Sequence, residues 1–172
     1  GAFEYQGQKC SAASRVYIPE GLWPALSPLL KEGLEQMKMG PVEDFGNLIT
    51  AVIDEASFDN ISGYINYASE SADAEIWHGG GHDKSVGYFV EPTVVLTRDP
   101  SFKLMEEEIF GPLVTICLYP DDAFEETLKR CDQTSPYALT GAIFARDKDA
   151  VAMASEVLRY AAGNFYINDK PT

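Results

Sequence analysis

The segment Leu113 to Tyr119 (LVTICLY) is an apolar run of strand length. A strand with one wet face alternates apolar and polar residues, so a run of this kind belongs to a central strand buried on both faces. It therefore requires helices above and below it. The residues that follow supply them in alternation. Phe124, Leu128 and Cys131 line one helical face, and Leu139 to Ala145 is a second apolar strand. Ala150, Val151, Ala154, Val157 and Leu158 line another helix before a last strand at Gly163 to Asn168. Strand, helix, strand, helix, strand predicts right-handed crossovers and a largely parallel sheet.

The upstream half fits the same α/β class. Arg15 to Ile18 is a short β-rich run. Leu26, Leu29, Leu30, Leu34 and Met37 fall on one helical face, with Pro24 in the first turn and Gly40-Pro41 ending the helix. Pro41 to Asn47 reads as a polar loop. Phe58, Ile61, Ile65 and Ala68 mark a second amphipathic helix with Ser57 as its expected cap. Ala74 to His78 is an expected strand before a Gly79-Gly80-Gly81 turn, and Gly87 to Leu96 reads as extended segments broken by Pro92. Neither an internal repeat nor a linker interrupts the series, so residues 1–172 read as one α/β domain able to bury roughly 70% of its unfolded surface.

Charge narrows the partners. A net charge of -14 and a pI near 4.4 exclude nucleic acid and anionic membrane surfaces, which need Lys and Arg to displace counterions. No run of about 18 apolar residues is present to span a bilayer, and the first residues lack signal and transit patterns. Cys10, Cys117 and Cys131 have no CxxC spacing, which points to a reducing compartment rather than to a disulfide framework or a zinc site. His78 and His82 stand four apart, but the three glycines between them do not hold a helix that would aim both at a metal.

Cys10 is the thiol with a chemical setting. Cys131 and Cys117 sit at core-type positions, where a free cysteine is a small hydrophobe. Cys10 lies instead among Gln8, Lys9 and Ser11, after a flexible Gly7, where a nearby cation favours the thiolate. A second segment, Glu106-Glu107-Glu108-Ile109-Phe110-Gly111-Pro112, crowds three carboxylates beside an aromatic ring and a turn. It reads either as a ligand site with Phe110 offered to a flat heterocycle, or as a solvated acidic turn with Phe110 plugging the core. The glycine triplet lacks phosphate-loop spacing and reads as a surface turn. Asn164 and Asn168 flank the last strand as caps or as functional groups.

Five segments in order resemble the aldehyde dehydrogenase superfamily: FEYQGQKCSA (3–12), GYFVEPTV (87–94), EEIFGP (107–112), LTGAIF (139–144) and AAGNFYINDK (161–170). GQKCSA and NFYINDK bring it nearest to the branch that oxidises L-glutamate γ-semialdehyde in proline degradation. The resemblance implies the family's catalytic-domain fold and assigns roles. Cys10 would be the nucleophile, forming a thiohemiacetal and then a thioester, with its backbone N–H helping to hold the oxyanion. Glu108 would grip the ribose hydroxyls of NAD, Phe110 would lie beside the nicotinamide, and Ser11 would line the substrate pocket. It also implies a small aldehyde as substrate, a homo-oligomeric parent and the mitochondrial matrix.

Much of the family pattern is not found in residues 1–172. Missing are the nucleotide-binding domain, the Glu-Leu-Gly-Gly segment carrying the general base, and the asparagine completing the oxyanion hole. The glycine-serine loop that anchors the substrate's α-carboxylate and the oligomerisation strand are missing too. The chain is accordingly expected to be an incomplete catalytic domain, inactive by itself. A noncatalytic module, an aldehyde dehydrogenase of other specificity and a cysteine hydrolase are the rival expectations.

Overall fold

The computed structural model describes residues 1–136 and 138–171. Its centre is a four-stranded sheet in the order β1, β6, β5, β2. Here β1 is Arg15–Pro19, β2 Ala74–His78, β5 Thr93–Thr97 and β6 Leu113–Tyr119. β6 pairs in parallel with both β1 and β5, while β2 runs antiparallel along β5. A two-stranded ribbon, β3 (His82–Asp83) with β4 (Phe89–Val90), lies between β2 and β5 in the chain.

The apolar run of β6 is explained by its two neighbours. Leu113 and Cys117 face a core built with Phe58, Ile61 and Ile65 of helix α2 (Glu55–Glu70). Val114, Ile116 and Leu118 face the opposite core, with Leu34 and Leu30 of helix α1 (Trp23–Glu35) and with Ile49. The period of two sends alternate side chains into different cores, and both need apolar residues. Trp23 and Trp77 close one end of the second core edge to face, with ring centroids 5.1 Å apart.

After the short helix α3 (Lys103–Glu106) and β6, helices α4 (Phe124–Gln133) and α5 (Lys148–Val157) alternate with β7 (Thr140–Ile143) and β8 (Asn164–Ile167). Leu128, Ala154 and Leu158 pack with Ile143 and Phe165 as a third core. The parallel pairing holds, but the sheet divides. β7 and β8 bond to each other and not to the four-stranded sheet. Tyr17 on β1 and Thr134 after α4 share a hydrogen bond of 2.7 Å, so α4 crosses beside β1. β7 then begins beyond the β1 edge, across an open cleft, and its ladder groups are satisfied by β8.

Two local expectations change. The cap of α2 is Asp54, whose carboxylate accepts from the Ser57 N–H at 2.7 Å; Ser57 itself lies within the first turn. An ionised carboxylate is a stronger acceptor for that orphan N–H than a hydroxyl. Leu29 is exposed rather than buried, because Leu26, Leu30 and Leu34 repeat every four residues and leave it off their stripe. No helix of the described residues is long and apolar enough to cross a membrane.

Candidate active site

Cys10 follows an unusual piece of backbone. Tyr5, Gln6 and Gly7 all adopt left-handed conformations, with φ of 56°, 57° and 65°. Only the glycine does so without a steric penalty. The turn is held from outside. The buried Gln6 amide reaches Thr50 Oγ1 at 2.7 Å, and Gln8 Oε1 accepts from the Ile53 N–H at 2.9 Å. Cys10 itself is exposed, whereas Cys117 is buried within β6. The Lys9 ammonium is directed to Glu4 at 3.1 Å, and Lys170 approaches the same carboxylate at 3.6 Å. The hydrogen bond from Lys9 holds the Glu4 carboxyl below its ordinary range. The cation beside Cys10 in the sequence is thus engaged elsewhere.

The acidic segment is differentiated by its surroundings. The Tyr64 hydroxyl on α2 donates to the Glu107 carboxylate. Lys103 lies 3.9 Å from the same carboxylate and over the rings of Tyr64 and Tyr67, at 5.1 and 5.3 Å. Ile109 is buried and fixes the chain between its neighbours. Glu108 points outward and makes no hydrogen bond or ion pair among the described residues. Phe110 does not plug the core. It takes φ of 60° and leaves 45% of its surface exposed, so its ring is open to a ligand.

These two segments meet. Gly7 packs directly on the carbonyl of Gly111, and Cys10, Glu108 and Phe110 line one cleft of about 1390 Å³. The far wall is β7 with Asn168, which holds its left-handed turn by accepting from the Ala145 N–H and donating to the Ala145 carbonyl. Ser11 is not brought to this cleft. Its residue is buried, and its carbonyl accepts from Thr140 Oγ1 at 3.2 Å. His78 and His82 lie on different strands, on either side of the glycine turn. Gln6 and Thr50 are the site-supporting pair that sequence reasoning missed. Nothing in the local pattern of either residue signals the other, and 44 positions separate them.

The whole chain, residues 1–172, matches the family model described as the aldehyde dehydrogenase family. The chain belongs to the aldehyde dehydrogenase family. Among curated aldehyde dehydrogenase relatives, the mitochondrial delta-1-pyrroline-5-carboxylate dehydrogenase of Dictyostelium discoideum is 60% identical over 100% of this chain. The human protein of the same name is 53% identical over 99% of it. Among solved structures, the delta-pyrroline-5-carboxylate dehydrogenase of Mycobacterium tuberculosis superposes with a TM-score of 0.91 at 44% identity over 100% of the chain. That enzyme has also been crystallised with NAD. The aldehyde dehydrogenase chain described above spans 31% of the length of each of these relatives.

Proposed function

We propose that residues 1–172 form the nucleophile-bearing part of the catalytic domain of an NAD-dependent dehydrogenase that oxidises L-glutamate γ-semialdehyde to L-glutamate. The observation that carries the reading is the convergence of Cys10, Glu108 and Phe110 on one cleft, with Gly7 against Gly111. Family membership and the similarity to delta-1-pyrroline-5-carboxylate dehydrogenases support this choice of substrate. The parts that complete the nucleotide site and supply the general base lie outside residues 1–172 in this reading.

The residues present suit a dinucleotide. A ribose diol needs a carboxylate acceptor that no cation has claimed, and Glu108 is one. A nicotinamide ring needs an exposed flat surface, and Phe110 offers it. NAD, when bound, supplies the hydride acceptor that converts the thiohemiacetal to a thioester. The chain's own part begins with attack by Cys10 Sγ on the aldehyde carbon, which forms the C–S bond and places negative charge on the oxygen. The Cys10 backbone N–H would help hold that charge, a contact worth about 3 kcal/mol in comparable sites. Water then attacks the thioester carbonyl, the C–S bond breaks, and the acid leaves with the thiol restored. Ser11 is buried outside the cleft, so the substrate-lining role that the family resemblance gave it is left out of this proposal.

The proposal extends to the mitochondrial matrix as location, a small aldehyde as the binding partner and a homo-oligomer as the working form. The decisive measurement is NADH formation from glutamate γ-semialdehyde by the full-length protein that contains this chain, compared with simple aliphatic aldehydes. Turnover that prefers the semialdehyde and vanishes in Cys10→Ala supports the reading. A preference for aliphatic aldehydes replaces the substrate, and full activity in Cys10→Ala removes the nucleophile.

A further inference from the structure

A cysteine that must attack a carbonyl in one direction needs a fixed approach, yet Cys10 sits on an exposed loop. The geometry that fixes it lies behind the loop. Tyr5 and Gln6 hold left-handed backbone angles that side-chain-bearing residues leave unless the surroundings impose them. The Gln6 side chain is the part of this turn that enters the interior, with 6% of its surface exposed. In the orientation that satisfies both ends of its amide, the oxygen accepts from Thr50 Oγ1 at 2.7 Å and from the Thr50 N–H at 2.6 Å. The amide nitrogen donates to the Tyr5 carbonyl at 3.1 Å, closing the turn on itself. Thr50 in turn follows Ile49, which is wholly buried in the core under β6. The anchor is thus rooted next to a fully buried residue of the second core.

We propose that Gln6 and Thr50 are positioning residues for Cys10: their buried hydrogen bonds impose the left-handed turn from which the thiol is presented. The inference rests on Cys10 being the nucleophile, and it adds what holds the nucleophile in place. Gln8, bonded to the Ile53 N–H, steadies the next step of the same loop. Both contacts go to the segment 50–53, which makes that segment a rail along which the nucleophile loop is laid.

Two reactions of Cys10 differ in how much geometry they demand. Alkylation by iodoacetamide asks only that the sulfur be accessible. Acylation by p-nitrophenyl acetate asks for more: a C–S bond forms, the C–O bond to p-nitrophenolate breaks, the thiol proton passes to solvent, and the oxyanion must be held on the way. The rate of each is read by peptide mass spectrometry at Cys10 in the full-length protein that contains this chain, with Cys117 and Cys131 as internal references. Thr50→Val keeps the shape of the side chain but removes the hydroxyl, whereas Thr50→Ser keeps the hydroxyl. The expected result is a fall of about tenfold in the ratio of acylation to alkylation for Thr50→Val, with Thr50→Ser within about twofold of wild type. Gln6→Met, which removes every bond of the amide, is expected to fall at least as far. An unchanged ratio in Thr50→Val and in Gln6→Met overturns the positioning role, as does wild-type full-length protein whose Cys10 is alkylated but never acylated. Wild-type Cys10 that alkylates no faster than Cys117 or Cys131 overturns the nucleophile reading instead. If Gln6→Met does not fold, all three cysteines react alike in it, and the pair Thr50→Val and Thr50→Ser decides.

Discussion

The α-carbon of Gly7 stands so close to the carbonyl of Gly111 that a β-carbon on it would lie 2.1 Å from that oxygen. This contact joins the loop that carries Cys10 to the loop that carries Glu108 and Phe110. Neither loop makes regular ladder bonds to the other, so the separation of thiol and carboxylate is set largely where these glycines touch. Position 7 is also left-handed, with φ of 65°. A side chain there meets two penalties at once, strain in its own backbone and collision with a buried carbonyl.

Gly7→Ala is therefore expected to destabilise the protein by about 2–4 kcal/mol, read from its urea midpoint. The same change at Gly63 should do the opposite. Gly63 lies inside α2, where an added β-carbon meets nothing within 4 Å, so Gly63→Ala is expected to stabilise by about 0.5–1 kcal/mol. Equal effects from the two alanines would show that the Gly7–Gly111 contact does not constrain the loop.

How far the sequence could be read depended on whether the cause was local. Leu113 to Leu118 announces a strand buried on both faces, because every residue's neighbourhood is written in its own polarity. The α4–β7 and α5–β8 alternation is legible for the same reason. Where β7 comes to rest is not, since it depends on how α4 crosses β1, which the Tyr17–Thr134 contact records. The left-handed turn at Tyr5 and Gln6 was invisible: neither residue type favours it, and the partner that imposes it is Thr50. Cys10, Glu108 and Phe110 stood out through motif and resemblance. Only the fold shows why Glu107, with the same side chain as Glu108, is tied down by Tyr64 and Lys103.

Cys117 should make the fold sensitive to alkali. Burial, with a smaller contribution from Asp99, raises its thiol from 9.0 to about 11. Below pH 9 the thiol is protonated in both the folded and the unfolded chain, and the stabilisation is fully present. Between pH 9 and 11 the unfolded chain gives up the proton while the folded chain keeps it, so stability falls as pH rises. The slope from this group approaches about 1.4 kcal/mol per pH unit. Tyr17, Tyr119 and Cys131 are raised by burial as well and add to the loss at high pH. Urea midpoints across this window should decline less steeply in Cys117→Ala than in wild type. Parallel declines would assign the effect to the other groups.

Thr115 is wholly buried in β6, and its hydroxyl finds no hydrogen-bond partner among the described residues. Its methyl group packs, while its oxygen has given up water. Thr115→Val keeps the shape and removes the unsatisfied oxygen, so it is expected to stabilise by about 1 kcal/mol. A shift of the thermal midpoint downward would mean that the hydroxyl is satisfied in solution.

Glu108 and Glu107 have the same side chain one position apart, and their surroundings predict different failures. Glu107 binds Tyr64 and Lys103, so Glu107→Gln weakens the attachment of its loop to α2. Glu108 has no such partner among the described residues, although it lines the cleft with Cys10 as Glu106 and Glu107 do. If Glu108 grips the ribose as proposed, Glu108→Gln in the full-length protein raises the KM for NAD by about tenfold, because a neutral amide accepts a ribose hydroxyl less strongly than a carboxylate does. Its thermal midpoint and the alkylation rate of Cys10 should stay at wild-type values, since no protein contact is lost. For Glu107→Gln the thermal midpoint should fall, with the KM for NAD moving less than in Glu108→Gln. An unchanged KM in Glu108→Gln would take the cofactor role away from Glu108, and a fallen midpoint in that variant would make it a structural residue.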